Sequence, residues 1–255
     1  MQKERIDKLL VDRGLAGSRS KAQAMVMAGV VLVDEQRVGK PSEAFAPDRV
    51  IRIKGESPES RFASRGGLKL EAALREFNVD PAGLTCLDIG ASTGGFTDCL
   101  LQHGAEKVVT IDAGTNQLVW RLRTDPRVEV RERTNARNLK PDDFGSLFDL
   151  IVIDVSFISV TKIIPALPPL LTSGGRVIIL IKPQFEVGKG EVGKGGIVRE
   201  PEKHQRVIEE VNVSASKHGL SPSGVIGSPI TGAEGNKEFL ALYRSEPLPQ
   251  APEMR

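Results

Sequence analysis

The chain has 255 residues, 40% of them hydrophobic and 27% charged, with 26 Gly and 16 Pro. This is the make-up of a globular protein of one large or two modest domains, and it excludes collagen-like, coiled-coil and wholly disordered chains. With a formal net charge of only +2, any affinity for nucleic acid must reside in a local patch rather than in bulk charge.

The first residues, Met1 to Arg5, are charged and lead into no long apolar stretch. The most apolar runs, such as Val177 to Ile181, are strand-sized, whereas a spanning helix needs about 20 apolar residues. No signal peptide or membrane span is readable, and Cys86 and Cys99 make no disulfide framework. The expected compartment is the cytoplasm, with no membrane partner.

Residues 1–58 read as a small α+β module. Ile6, Leu9 and Leu10 share a helical face that Gly14 can end. Ser18-Arg19-Ser20-Lys21 can open a second helix with Ala22, Met25 and Val26 on its apolar face, closed by Gly29. Val30 to Val33 and Val50 to Ile53 read as strands, with a turn at Asp34 to Gln36. Residues 59–66 read as a linker, 67–246 as the main domain, and 247–255, with Pro247, Pro249 and Pro252, as a frayed tail.

In the main domain the spacing predicts strands over Thr85 to Ile89, Lys107 to Asp112, Val128 to Arg131, Leu147 to Asp154, Gly175 to Ile181, Ser223 to Ser228 and Glu238 to Arg244. Helices fit at Thr97 to His103, Leu118 to Arg123, Ile163 to Leu171 and Pro201 to His218. Strands alternating with helices imply an α/β fold with a doubly wound, mostly parallel sheet of seven strands. Burial on both faces accounts for the unbroken apolar run Leu150-Ile151-Val152-Ile153.

The first strand of this domain runs into Asp88-Ile89-Gly90-Ala91-Ser92-Thr93-Gly94-Gly95-Phe96 and then a helix. Asp112, at the tip of the next strand, is placed to hold ribose hydroxyls. The dinucleotide fingerprint G-x-G-x-x-G fails, because Gly90 is followed by Ala91, Ser92 and Thr93. A ligand-free strand–helix turn is the plainer alternative. Gly90 to Gly94 also matches the G-x-S-x-G nucleophile elbow, whose histidine would be His204 or His218, both on a charged helix. Gly188 to Gly195 nearly spells a phosphate loop, but Gly195 stands where Ser or Thr would hold magnesium. A lysine-bearing lid over the site is the simpler reading of residues 187–197. The Cys and His residues lack paired ligand spacing, so no metal is expected, and Cys86 reads as a small buried apolar residue.

Asp154 and Lys182 each end a buried apolar strand. Either could be a solvated loop start, but two such tips beside a ligand loop point to chemistry. The Asp88 to Gly95 loop resembles the S-adenosylmethionine loop of class I methyltransferases, a Rossmann-like fold. The order Lys69, Asp154, Lys182, Glu238 is similar to the tetrad of FtsJ-type ribose 2′-O-methyltransferases. With the N-terminal module, the chain resembles the TlyA family of ribosomal RNA methyltransferases over nearly its whole length. Some members of that family carry a haemolysin label.

The resemblance implies S-adenosyl-L-methionine as cofactor, held by Asp88, Gly90, Ser92, Gly94, Gly95, Phe96 and Asp112, with Asn135 and Ala136 near the adenine. Asn135 is equally compatible with a plain turn. It implies a ribose hydroxyl of cytidine in ribosomal RNA, within ribosomal subunits, as acceptor. Lys182 is the expected general base, oriented by Asp154, with Lys69 and Glu238 completing the network. The bound sulfonium and Lys69 favour a neutral Lys182 amine and Asp154 opposes it, so the sequence leaves that balance open.

The N-terminal stretches Arg5 to Leu15, Ser18 to Ala22 and Gly29 to Val33 are similar to a small RNA-binding module first described in a ribosomal small-subunit protein. Residues 1–40 hold eight Lys/Arg against five Asp/Glu. Arg5, Lys8, Arg19 and Lys21 could form one phosphate patch, or merely a solvated amphipathic face. The module's one aromatic, Phe45, argues for readout of RNA shape rather than stacking. Monomer and homodimer both stay open, as do two other functions: a haemolysin, or an RNA-binding protein without catalysis.

Overall fold

The computed structural model describes residues 3–53, 61–188 and 190–245. Part of the expected linker, the expected tail and Lys189 of the Gly-rich loop lie outside the described residues. The chain divides into two compact units, Met1–Arg61 and Phe62–Arg255. No described helix is long and apolar enough to cross a membrane.

The first unit runs β1 (Glu4–Arg5), α1 (Ile6–Asp12), α2 (Arg19–Met27), β2 (Val31–Val33), β3 (Gln36–Arg37), β4 (Ala44–Phe45) and β5 (Ile51–Ile53). Gly14, at φ +70°, turns the chain out of α1, and the Ser18 side chain caps α2 by accepting from Lys21 N at 3.2 Å. Ile6, Leu10, Ala22, Val26, Val31, Val33, Val38 and Ile53 form the core. β2 lies between β3 and β5, and β1 pairs with β4, all antiparallel.

The second unit comprises α3 (Gly66–Glu76), β6 (Thr85–Ile89), α4 (Gly95–Gln102), β7 (Lys107–Ile111), α5 (Trp120–Arg123), β8 (Val128–Arg131), β9 (Phe148–Ile153), β10 (Leu171–Ile181), α6 (Pro183–Glu186), α7 (Pro201–Lys217), β11 (Leu220–Gly227) and β12 (Phe239–Ser245). Seven strands form one sheet in the order β11-β12-β10-β9-β6-β7-β8. β10, β9, β6, β7 and β8 are parallel neighbours, while β12 runs antiparallel to both β10 and β11. The chain order reverses between β6 and β9, and at such a switch point the carboxyl ends of parallel strands leave a crevice.

Both faces of the sheet are covered. Ile151, Ile153, Ile179 and Ile181 pack with Val207, Val211 and Ala215, spaced one helical turn apart on α7. Leu150, Val152, Ile178 and Leu180 pack on the other face with Leu70, Ala73 and Leu74 of α3 and Leu100 of α4. The apolar run of β9 thus feeds two cores by alternation.

Two expectations need correction. The helix expected over Ile163 to Leu171 is instead a series of single 3-10 turns, Val160–Lys162, Ile164–Ala166 and Pro168–Leu170. Pro165, Pro168 and Pro169 lack the N–H that an α-helix needs there. Residues 62–66, expected within a linker, belong to the second unit. Phe62 is 4% exposed in its core, Ala63 N donates to Asp98 Oδ2 at 2.7 Å, and α3 begins at Gly66.

Candidate active site

The loop after β6 is shaped by its glycines. Gly90 has φ +85°, and a Cβ there would lie 2.3 Å from the Asp154 carbonyl oxygen. Gly94 has φ +98°, with Leu122 and Leu118 filling the space a side chain would take. The Asp112 carboxylate accepts from Ser92 N at 2.8 Å and from Gly114 N at 2.7 Å, which leaves lone pairs for a ligand. Ser92 Oγ donates to Gln117 Oε1 at 3.1 Å.

Asp88 is fully buried beneath this loop. Its Oδ2 accepts from Thr97 Oγ1 at 2.6 Å, while Oδ1 has no hydrogen-bond partner among the described residues. Burial pushes its carboxyl up to about 7; the Thr97 hydrogen bond opposes this, and the nearby Asp154 and Asp112 charges add to it.

Two cavities open at this edge. One, of about 370 Å³, includes Asp112, Asn135, Ala136 and Ile158 in its wall. The other, of about 300 Å³, is lined by Lys69, Gly95, Phe96, Asp154 and Lys182, together with Arg65. Gly90, Ser92, Asp154 and Ser156 belong to both walls. Gly94 and Asp88 line neither cavity; they shape and underlie the loop. Asn135 also keeps the turn role, since its Oδ1 accepts from Arg137 N at 3.1 Å.

Strand register assembles the four expected polar residues: Lys69, Asp154 and Lys182 line the second cavity, and Glu238, outside its wall, backs Lys69. Asp154 and Lys182 follow the parallel neighbours β9 and β10, and Glu238 directly precedes β12, whose Phe239 pairs with Ile181. Lys69 comes from α3. Lys182 Nζ lies 2.5 Å from Asp154 Oδ1, and Lys69 Nζ lies 2.5 Å from Glu238 Oε2. All but Asp154 are under 10% exposed. Lys182 Nζ also donates to Ser156 Oγ at 2.9 Å. Ser156, Arg65 and Gln117 escape sequence reasoning as site residues, because polar loop residues have no periodicity to betray them.

The other motifs fall elsewhere. His204 is buried, not on a solvated face, and its Nε2 engages the Val198 carbonyl at 2.9 Å; the His218 ring meets the Ser214 carbonyl. Neither partners Ser92, which removes the hydrolase arrangement. The Gly-rich segment ends in a 3-10 turn at Lys194–Gly196 instead of opening a helix. The buried Asn236 secures it, donating to Gly196 O and accepting from Val198 N. Cys86 and Cys99 are both buried thiols outside any disulfide, and burial pushes the Cys86 thiol up to about 12. Among the described residues no group of three or more His, Cys, Asp or Glu could hold a metal ion.

Arg5 and Arg19 of the first unit meet on the Asp7 carboxylate. Lys8 shares its charge with Glu4 at 3.1 Å and Asp12 at 4.0 Å, and Lys21 is exposed.

A seven-stranded, doubly wound sheet with two cavities at its switch point defines a ligand-binding α/β domain. The model of the FtsJ-like methyltransferases matches residues 62–244, and that of the S4 domain matches residues 4–51. The chain belongs to the FtsJ-like methyltransferase family, and it carries an S4 domain ahead of the methyltransferase domain. It is 49% identical to YqxC of Bacillus subtilis, designated an rRNA methyltransferase, over 94% of this chain and 85% of that one. It is 44% identical to the 16S/23S rRNA (cytidine-2′-O)-methyltransferase TlyA of Mycobacterium tuberculosis, over 96% of this chain and 91% of that one. A solved structure of a hemolysin-labelled protein from Streptococcus thermophilus superposes with a TM-score of 0.73 at 46% identity, covering 99% of this chain and 93% of that one.

Proposed function

We propose that this protein transfers a methyl group from S-adenosyl-L-methionine to the ribose 2′-hydroxyl of a cytidine in ribosomal RNA, in the cytoplasm and on ribosomal subunits. The observation that carries the reading is that Lys182, paired with Asp154, and Lys69, backed by Glu238, line one cavity together with Gly90. The named acceptor of the Mycobacterium tuberculosis relative supports the substrate.

The residues present fit the cofactor. The Gly90 backbone is held in a conformation and at a packing distance that exclude a side chain, and the Asp112 carboxylate retains acceptor capacity for ribose hydroxyls. Ala136 and Ile158 give the first cavity an apolar wall suited to adenine. When bound, S-adenosylmethionine supplies an electrophilic methyl on a positively charged sulfur.

This chain supplies position and a proton acceptor. The 2′-hydroxyl is a poor nucleophile until it loses its proton, and that proton goes to Lys182 Nζ, a neutral amine when it accepts. Asp154 and Ser156 fix the direction of Lys182, and Asp154 stabilises the ammonium that forms. Lys69, anchored by Glu238, donates to the ribose oxygen. No step calls for a metal.

The test is incubation with labelled S-adenosylmethionine and unmodified ribosomal subunits, followed by mapping of the label. The expected result is ribose 2′-O label that disappears in Lys182→Ala while cofactor binding persists. Label on a base, or retained turnover in that variant, would overturn the reading.

A further inference from the structure

Asp7, in the first turn of α1, has no exposed surface. Its carboxylate gathers donors from three side chains. Arg5 Nε donates to Oδ1 at 3.0 Å and Arg5 Nη2 to Oδ2 at 2.8 Å. Arg19 Nε and Gln23 Nε2 both donate to Oδ2, at 3.2 and 2.9 Å. Arg5 is the last residue of β1, registered opposite Ala44 of β4. Arg19 opens α2, and Gln23 lies one turn further along it. One carboxylate thus ties a strand end to the start of a second helix.

The two arginine side chains are only half withdrawn from water, at 46% and 58% exposure. Each commits part of its donor set to Asp7 and keeps the rest for another acceptor. Arg5, with Gln23 and Arg19 adding, holds the Asp7 carboxyl well below the usual carboxylate range against the opposing effect of burial. A free arginine loses rotamer entropy when it clamps an anion, whereas these two are already fixed.

We propose that Asp7 is a positioning residue that sets Arg5 and Arg19 side by side as one rigid phosphate-binding pair for an RNA backbone. The inference rests on the RNA-directed function proposed above. It runs against bulk electrostatics. Replacing Asp7 by Asn makes the protein more positive, and counted as charge alone it strengthens RNA binding.

The experiment measures binding of the full chain to a labelled, unmodified ribosomal RNA transcript across a series of salt concentrations. Asp7→Asn is expected to weaken binding about tenfold and to make its salt dependence shallower, as phosphate contacts are lost. A purely structural Asp7 would lower the melting temperature and leave the salt slope in place. Arg5→Lys with Arg19→Lys keeps both charges but loses the forks; it carries the test should Asp7→Asn fail to fold, and it is expected to weaken binding as well. Binding by Asp7→Asn as tight as wild type, or unchanged affinity in the double lysine variant, overturns the role of Asp7 alone. Failure of the wild-type chain to bind the transcript overturns the RNA reading with it.

Discussion

The main-chain carbonyl of Asp154 stands 2.3 Å from the point a Cβ on Gly90 would occupy. Asp154 N also donates to Ile89 O at 2.9 Å, so the tips of β6 and β9 are locked together. The loop proposed to hold the cofactor and the side chains proposed to handle the proton meet at this point. Gly90→Ala combines left-handed backbone strain with a collision against main chain. It is expected to cost about 1–3 kcal/mol of stability and to abolish cofactor binding. Denaturant titration and calorimetric titration with S-adenosylmethionine measure both; wild-type affinity would separate loop shape from binding.

The Lys69–Glu238 pair predicts a non-additive pattern. Removing one partner of a buried pair leaves the other charge stranded, at about 3–5 kcal/mol. Lys69→Met and Glu238→Leu should each destabilise on that scale and lose methyl transfer. The double variant should recover much of the stability and none of the activity. A double-mutant cycle in denaturant, run beside transfer assays, checks this; additive losses would show that the two side chains act independently.

Asp88 predicts a pH dependence. Its folded-state value of about 7 lies above the roughly 3.9 of an unfolded aspartate. Below the lower value both states hold the proton. Between the two the unfolded chain ionises first, so this stability contribution falls as pH rises from about 4 to about 7, by a few kcal/mol. Asp88→Asn should flatten that limb of the stability profile measured by denaturation at successive pH values. An unchanged profile would assign the dependence to other groups.

Phe62 predicts a coupling between packing and the site. It is buried, and a Cβ on Gly67 would fall 2.3 Å from its ring, so it clamps the start of α3, the helix that bears Lys69. Phe62→Ala should destabilise by about 3–5 kcal/mol and lower both cofactor affinity and turnover. Stability curves and calorimetry test this, and unchanged activity and affinity would remove Phe62 from any role in the site.

The strand tips are legible in the sequence because a buried parallel strand gives no reason for an Asp or Lys at its end, so Asp154 and Lys182 stand out. The Gly90 loop is legible because its glycines interrupt an apolar strand just before a helix. α3 is not, since Gly66-Gly67 reads as punctuation while in the fold Gly67 gives way to Phe62 and the two glycines start a helix. Ser156 leaves no trace either, because a short hydroxyl in a loop fits solvent as well as it fits Lys182. The proline-rich run at 165–169 looks periodic to hydrophobicity alone, and the missing N–H groups decide otherwise. In the N-terminal unit the basic residues are visible in the sequence, but their tie to Asp7 is not, because it joins a strand end to residues on two separate helices.

Lys69 and Glu238 are 169 positions apart in the chain, which bears on how the enzyme comes into being. As the polypeptide is synthesised, the loop of Gly90 and the tips of β6 through β9 are available long before the last hairpin emerges. A nascent or truncated product therefore has a partial cradle, but Lys69 lacks its counter-charge until β12 is laid down beside β10. The ion pair proposed to hold the ribose oxygen in place therefore forms only once β12 has joined the sheet beside β10, after the parallel strands that carry the Gly90 loop.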